Sequence, residues 1–134
     1  MDEHRLSEIP LFASLSRKER KRVAQLADEV DVPAGRELVH EGGFAYEFFV
    51  ISSGAVEVTR QGEHVTDLGP GDFFGEMAAI TDGQRNAAVT TTEPTTAIVM
   101  TAHDFRRMAA EMPSVAEAIS AKVAERRPPA NASS

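Results

Sequence analysis

Two oppositely charged residues, Glu76 and Arg85, lie nine positions apart around a glycine-rich segment. Gly75 precedes Glu76, and the run Gly75 to Ile80 has the composition of a short helical turn. A glycine there lets backbone N–H groups approach a ligand, and the positive end of the peptide dipoles favours an anion. Arg85 offers a planar fork for phosphate oxygens, and the Glu76 carboxylate can accept hydrogen bonds from ribose hydroxyls. A phosphate and a ribose together indicate a nucleotide.

Several motifs in this region resemble the cyclic nucleotide-binding domain family. They are Leu68-Gly69-Pro70-Gly71-Asp72, Phe74-Gly75-Glu76-Met77-Ala78-Ala79-Ile80 and Arg85-Asn86-Ala87-Ala88-Val89, with weaker likeness at Val39-His40-Glu41-Gly42-Gly43 and from Phe48 to Val56. The resemblance implies that Glu76 takes the ribose 2′-hydroxyl and Arg85 the cyclic phosphate. It also implies a set of ligand-binding residues: Phe74, Gly75, Glu76, Met77, Ala78, Arg85, Asn86 and Ala87.

Two positions depart from the family pattern, and a third bears on the choice of base. Asn86 stands where the family often has Ser or Thr, although an amide can also donate to a phosphate oxygen. Ala79 stands where the family usually has a larger aliphatic residue, so we expect the short helical turn from Gly75 to Ile80 to pack less tightly on the barrel. Family members that prefer cyclic GMP commonly carry a hydroxyl where this chain has Ala87. The resemblance therefore favours cyclic AMP over cyclic GMP as the ligand.

Other readings of the same residues remain open. Glu76 and Arg85 could form an ion pair in an unliganded barrel, and Arg85 could pair with Asp82. The chain could also be a degenerate interaction module that binds no nucleotide. A cupin-type metal enzyme needs two closely spaced histidines, a glutamate and a further histidine converging on one metal. The four histidines here are isolated in sequence, so we expect no metal site and no catalytic residue: His4, His40, His64 and His103.

Composition excludes several other classes of function. The chain has 134 residues, which suits one domain, and it has no cysteine, so disulfides and thiolate metal sites are excluded. The net charge of -7 opposes direct binding to nucleic acid. The N-terminus lacks a secretory apolar region and no long apolar run follows, so we expect a cytoplasmic protein without membrane contact. The expected partners are the cyclic nucleotide and either a second copy, through the C-terminal helix, or an unidentified effector protein.

Periodicity predicts a mainly β fold with flanking helices. Residues 5–27 are expected to be helical, with a capping box at Ser16 and Glu19 and a solvated basic face between Arg17 and Arg22. Short alternating runs then predict strands up to Met100, which together form a jelly-roll β-roll, or double-stranded β-helix. The expected strands are Glu29–Val32, Glu37–His40, Phe48–Ser52, Ala55–Arg60, His64–Leu68, Ala87–Thr92 and Thr95–Met100.

A C-terminal helix pair is expected after the strands. Thr101 resembles a helix cap, and Pro113 should divide the pair at Met112. An apolar stripe follows one helical face, and its last part is the candidate cover for the base: Phe105, Met108, Met112, Val115, Ile119 and Val123. We expect a single domain over residues 1–127 and a disordered tail over residues 128–134.

Overall fold

Two antiparallel sheets face each other to form a β-roll, and helices pack on the outside of one of them. The structure is a computed structural model that describes residues 1–40, 47–75 and 87–126, with the backbone alone for residues 122–126. Apolar side chains from both sheets meet in one buried cluster, which places the sheets face to face. The predicted fold class, a mainly β roll with flanking helices, is therefore confirmed.

The elements follow one another in the order helices, strands, helices. The helices are α1 (Glu3–Leu6), α2 (Pro10–Ala13), α3 (Arg17–Leu26), α4 (Ala102–Glu111) and α5 (Pro113–Arg126). The strands are β1 (Asp28–Val32), β2 (Glu37–Val39), β3 (Glu47–Ser53), β4 (Val56–Arg60), β5 (Glu63–Leu68), β6 (Phe73–Phe74), β7 (Ala88–Thr91) and β8 (Thr95–Thr101).

Each described sheet has four strands. The first has the order β1-β8-β3-β6, and the second has the order β2-β7-β4-β5. Neighbours in a sheet are distant in sequence, as in β1 with β8 and β2 with β7, and this is the crossing pattern of a roll rather than of a simple meander. The predicted strands match these within one residue at each end, and β6 is an additional strand that the periodicity did not indicate.

Strand β3 is buried on both faces because the helices cover one face of the first sheet and the second sheet covers the other. Phe48 and Val50 belong to the cluster shared with the helices, which we call the outer cluster. Phe49 and Ile51 belong to the cluster between the sheets, which we call the inner cluster. An uninterrupted apolar run is what a strand buried on both faces requires. The apolar run from Phe48 to Ile51 meets this requirement.

The N-terminal segment is helical but not continuous, so the expectation of one helical stretch over residues 5–27 needs correction. Pro10 has no N–H and stands in the first turn of α2, where no hydrogen bond is lost. The hydroxyl of Ser7 donates to the carbonyl of His4 at 2.6 Å and closes α1. Ser16 then opens α3 through the predicted capping box with Glu19.

The C-terminal helices divide as the sequence predicts. The hydroxyl of Thr101 accepts from the Asp104 N–H at 3.1 Å and caps α4. Met112 leaves helical geometry, with φ -129° and ψ 79°, and Pro113 begins α5. In the described part of the chain, none of the helices has the length and apolarity that a bilayer crossing requires.

Candidate functional site

The predicted site lies on the connection between β6 and β7, which joins the two sheets. The structure describes both ends of this connection: Phe74 and Gly75 at its start and Ala87 at its end. The remaining predicted ligand-binding residues lie outside the described residues: Glu76, Met77, Ala78, Arg85 and Asn86. The expected helical turn after Gly75 also lies there.

The turn before β6 is held firmly by backbone hydrogen bonds. The Asp72 carboxylate accepts from the Gly69 N–H at 2.9 Å, and the Asp72 N–H donates to the Gly69 carbonyl at 3.0 Å. The Gly71 N–H donates to the Ile51 carbonyl, and the Ile51 N–H donates to the Asp72 carbonyl, both at 2.8 Å. Gly71 has φ 90°, a conformation that favours glycine. The glycine-proline turn thus fixes the start of β6 against β3.

Phe74 follows this turn, and its side chain lies between the two sheets. It pairs with Phe49 across the ladder, and the two rings stack at 4.8 Å between centroids with 12° between their planes. Both side chains are buried in the inner cluster. The residue before the predicted phosphate-binding turn is therefore positioned by a stacked pair of aromatic rings.

Gly75 leaves the strand in a left-handed conformation, with φ 91°. An L side chain is strained there, so a glycine is required to turn the chain away from β6. The sequence interpretation singled out Gly75 as a place of close backbone approach, and the positive φ supplies a second reason for the same residue. At the other end, Ala87 is partly buried and leads directly into β7.

The inner cluster is apolar. It contains Val39, Phe49, Ile51, Val56, Phe74, Val89 and Ala97, with Leu38, Val58, Leu68 and Val99 packed against it. Among the described residues, the buried polar side chains are those of Thr91 and Thr95. Their hydroxyls donate to backbone carbonyls, at 2.7 Å to Pro33 and 2.8 Å to Glu93. The described residues of this cluster therefore offer no charge to an anion, and the two charged residues of the sequence prediction, Glu76 and Arg85, lie between Gly75 and Ala87.

The apolar stripe of the C-terminal helices faces the outer cluster. Val115 and Ile119 of α5 are 1% and 2% exposed, and they are buried with α2 and α4 rather than between the sheets. In this conformation the described part of the candidate cover is therefore docked in the outer cluster. The side chain of Val123 lies outside the described residues.

Sequence reasoning missed one cluster of ionisable residues. The histidines were interpreted as isolated, but His64 lies beside two carboxylates, with Nδ1 2.9 Å from Glu57 Oε2 and Nε2 3.8 Å from Asp67 Oδ2. In a regular strand the spacing His64-x-x-Asp67 places the two side chains on opposite faces, so the sequence did not indicate this pair, and Glu57 is brought in by the pairing of β4 with β5. His4 and His103 lie on helices, as expected from their positions outside the strands.

Comparison with known proteins places this roll among characterised domains. A family model described as the cyclic nucleotide-binding domain matches residues 29–112. The cAMP-dependent protein kinase regulatory subunit of Hypocrea atroviridis is 30% identical over 108 residues, which are 81% of this chain and 23% of that protein. The matches to this and other curated relatives cover between about a fifth and a third of their length.

Solved structures share the same architecture. The regulatory domain of Toxoplasma gondii PKA with cAMP has a TM-score of 0.77 and 25% identity, and the match covers 92% of this chain and 48% of that chain. The regulatory subunit of a cAMP-independent protein kinase A from Trypanosoma brucei has a TM-score of 0.79 and 20% identity, covering 93% of this chain and 46% of that one. At that identity the second likeness shows the fold alone. These proteins are named as regulatory subunits or domains, and the family model matches more than half of the present chain, so the chain belongs to the cyclic nucleotide-binding domain family.

Proposed function

We propose that this chain is a sensor domain that binds cyclic AMP on the connection between β6 and β7. The observation that carries the proposal is the position of this connection. It begins at the left-handed Gly75, beside a fixed aromatic pair, and it contains both charged residues that a cyclic ribose phosphate needs. The family membership of the chain and the cAMP named in the Toxoplasma gondii structure support the same ligand.

The proposed roles follow from chemistry. Arg85 holds the cyclic phosphate because its guanidinium is always charged and matches two phosphate oxygens. Glu76 accepts a hydrogen bond from the ribose 2′-hydroxyl. Backbone N–H groups near Gly75, Met77 and Ala87 donate to the phosphate at the start of the helical turn. Phe74, Ala78 and Asn86 complete the contact set, with the Asn86 amide donating where a hydroxyl is common in the family.

The absence of charge from the described interior strengthens this assignment. An anion placed between the sheets meets aliphatic and aromatic side chains, and its charge would be unpaired without Arg85. The same apolar surface suits the flat face of a purine. Cyclic AMP is preferred to cyclic GMP because Ala87 provides no hydroxyl for the guanine amino group. No catalytic role is proposed.

Regulation would act through the helices. Ligand can change their arrangement only by binding one arrangement better than another. Met112 is the natural hinge, since it is a single residue between α4 and α5 with non-helical dihedral angles. The output is proposed to be an effector protein, such as a kinase subunit, or a second copy of the chain that contacts the C-terminal helix. A cytoplasmic location is part of the same proposal.

One alternative has a specific observation in its favour. The Trypanosoma brucei structure, a protein named cAMP-independent, has the same fold, so the roll by itself does not assign cyclic AMP. Under this alternative Glu76 and Arg85 pair with each other and the chain is an interaction module. The two functions differ in whether cyclic AMP binds at equilibrium.

Isothermal titration calorimetry of the complete chain with cyclic AMP tests the proposal. We expect saturable binding at one site, weaker binding of cyclic GMP, and weaker binding still of linear 5′-AMP. Arg85→Ala should reduce affinity at least about tenfold, since a hydrogen bond to a charged group contributes roughly 1.5–3 kcal/mol. Arg107→Ala, on the exposed surface of α4, is the matched control and should bind as the wild type does. No heat of binding, together with no thermal stabilisation by cyclic AMP, would overturn the proposal and favour the interaction module.

A further inference from the structure

Two carboxylates lie directly opposite each other on the outer face of the β4–β5 hairpin. Glu57 and Asp67 are ladder partners, and like charges in that position destabilise a sheet. Both side chains are solvent-accessible, Glu57 at 38% and Asp67 at 70%. Val56 and Val58, the neighbours of Glu57, contact the inner cluster on the opposite face. The carboxylate pair therefore lies across the sheet from the space where the nucleotide is proposed to bind.

An irregularity in the ladder adds a histidine to this pair. Val58 pairs with Thr66, but the next residue, Thr59, pairs with His64, so Val65 is an extra residue on β5. A bulge of this kind changes which face the following side chains occupy. In an uninterrupted ladder His64 would lie opposite Arg60 and point to the other face. The bulge instead brings His64 to the face of Glu57 and Asp67.

The three side chains converge on one point. One ligand atom from each lies within 4.8 Å of the others. The distance from His64 Nδ1 to Glu57 Oε2 is 2.9 Å. Two ligand atoms bound to a tetrahedral Zn²⁺, each at about 2.1 Å from the ion, lie about 3.4 Å from each other. This separation falls between the 2.9 Å and 4.8 Å given above. Small rotations of exposed side chains would therefore bring all three into a shared coordination sphere.

We propose that Glu57, His64 and Asp67 form a binding site for a divalent transition metal ion, with Zn²⁺ as the reference ligand. One imidazole nitrogen and two carboxylate oxygens are ligands that Zn²⁺, Ni²⁺ and Cu²⁺ accept, whereas Mg²⁺ and Ca²⁺ favour oxygen alone. A bound cation would also neutralise the repulsion between the facing carboxylates. With three protein ligands the site keeps an open coordination position for water. The sequence expectation of no metal site is revised by this proposal.

Calorimetric titration of ZnCl₂ into the complete, untagged chain tests the site. We expect one equivalent of Zn²⁺ to bind, with affinity reduced at least about tenfold by each of Glu57→Gln, His64→Gln and Asp67→Asn. The matched control is His40→Gln. His40 is also an exposed histidine beside a carboxylate, with Nδ1 2.8 Å from Glu37 Oε1, but it belongs to no three-ligand cluster among the described residues. This variant should bind Zn²⁺ as the wild type does.

Two results would overturn the proposal. One is a His64→Gln chain that keeps wild-type Zn²⁺ affinity, and the other is an equal loss in His40→Gln, which would indicate scattered binding to surface histidines. Circular dichroism establishes that each variant is folded, and Glu57→Gln gives a second measurement if His64→Gln is not. Cyclic AMP titration of His64→Gln separates the two proposals: unchanged nucleotide affinity with lost Zn²⁺ binding is expected, because the sites lie on opposite faces of the sheet.

Discussion

Arg22 on α3 and Glu111 at the end of α4 form a bidentate ion pair. Arg22 Nε donates to Glu111 Oε1 at 2.7 Å, and Arg22 Nη2 donates to Oε2 at 2.9 Å. The pair joins residues 89 positions apart and lies next to Met112, where the C-terminal helices divide. It therefore connects the N-terminal helices to the proposed hinge. Arg22 belongs to the basic run for which the sequence predicts a solvated face, and in the structure it has a specific partner.

The first prediction concerns the pH dependence of stability. The hydrogen bond from Arg22, with its charge and that of Arg107, lowers the pKa of Glu111 below the ordinary value of 4.5. A carboxylate with a lowered folded-state pKa stabilises the protein above its unfolded pKa, and this stabilisation is lost as pH falls through the folded value. We expect Glu111→Gln to unfold at lower denaturant concentration than the wild type at pH 7, with the difference shrinking below about pH 4.5.

Urea unfolding at a series of pH values measures this difference. The control is Glu117→Gln, which neutralises an exposed glutamate on α5. Its stability difference from the wild type should not change with pH in this way. If the stability difference between the wild type and Glu111→Gln stays constant from pH 7 to pH 3, the loss of stability comes from packing and not from ionisation.

The second prediction compares two glycines that both have positive φ. A Cβ at Gly54, where φ is 96°, would lie 2.6 Å from the Pro94 carbonyl oxygen and 2.5 Å from the Thr95 hydroxyl. A Cβ at Gly62, where φ is 80°, meets no atom within 4 Å. Gly62→Ala should therefore cost only backbone strain, roughly 1–2 kcal/mol of the free energy of unfolding. Gly54→Ala should cost clearly more, because backbone atoms must also move. Equal losses in chemical denaturation would argue against the tight contact at Gly54.

The third prediction assigns Glu76 to the ribose. Removing the 2′-hydroxyl of the ligand and removing the Glu76 carboxylate should be largely redundant if the two groups contact each other. A double-mutant cycle with cyclic AMP, 2′-deoxy cyclic AMP, wild type and Glu76→Ala measures the coupling. We expect a loss of about tenfold for either change and little further loss for both. Additive losses would mean that Glu76 acts elsewhere, most simply by holding Arg85.

The fourth prediction concerns the C-terminal helix as a cover for the base. Val115 and Ile119 are buried in the outer cluster in this conformation, so covering the base requires α5 to leave that position. Hydrogen exchange with and without cyclic AMP follows this movement. A ligand-dependent change in protection over Ser114 to Val123 is expected. A change confined to Gly75 to Ala88 would instead mean that α5 remains docked when ligand binds.

Helix caps, a helix break and most strands could be predicted from short stretches of sequence. The capping box at Ser16, the cap at Thr101 and the break before Pro113 each depend on a few neighbouring residues, and all three are confirmed. The strand runs were also found, because apolar alternation is a local property. For the site, the sequence supplied the residue types and the resemblance supplied their roles, which remain predictions for the residues outside the described part.

Non-local features were not predictable in this way. Strand β6 has only two residues, too few to show a period, and it exists because the turn at Gly71 hydrogen-bonds to β3. The extra residue Val65 looks ordinary in the sequence, and only the pairing with β4 reveals the bulge. The ion pair between Arg22 and Glu111 depends on how α3 and α4 pack, and no spacing rule covers 89 positions.

The outer cluster has a consequence for how far the domain can be shortened. The family match spans residues 29–112, yet side chains on both sides of that range bury the outer face of the first sheet. Leu6, Phe12 and Val23 come from before it, and Val115 and Ile119 come from after it. A fragment cut at the family boundaries would leave Phe48, Phe105 and their neighbours in water, so it should aggregate or open. The minimal cooperative folding unit of this protein is therefore larger than the region by which its family is recognised.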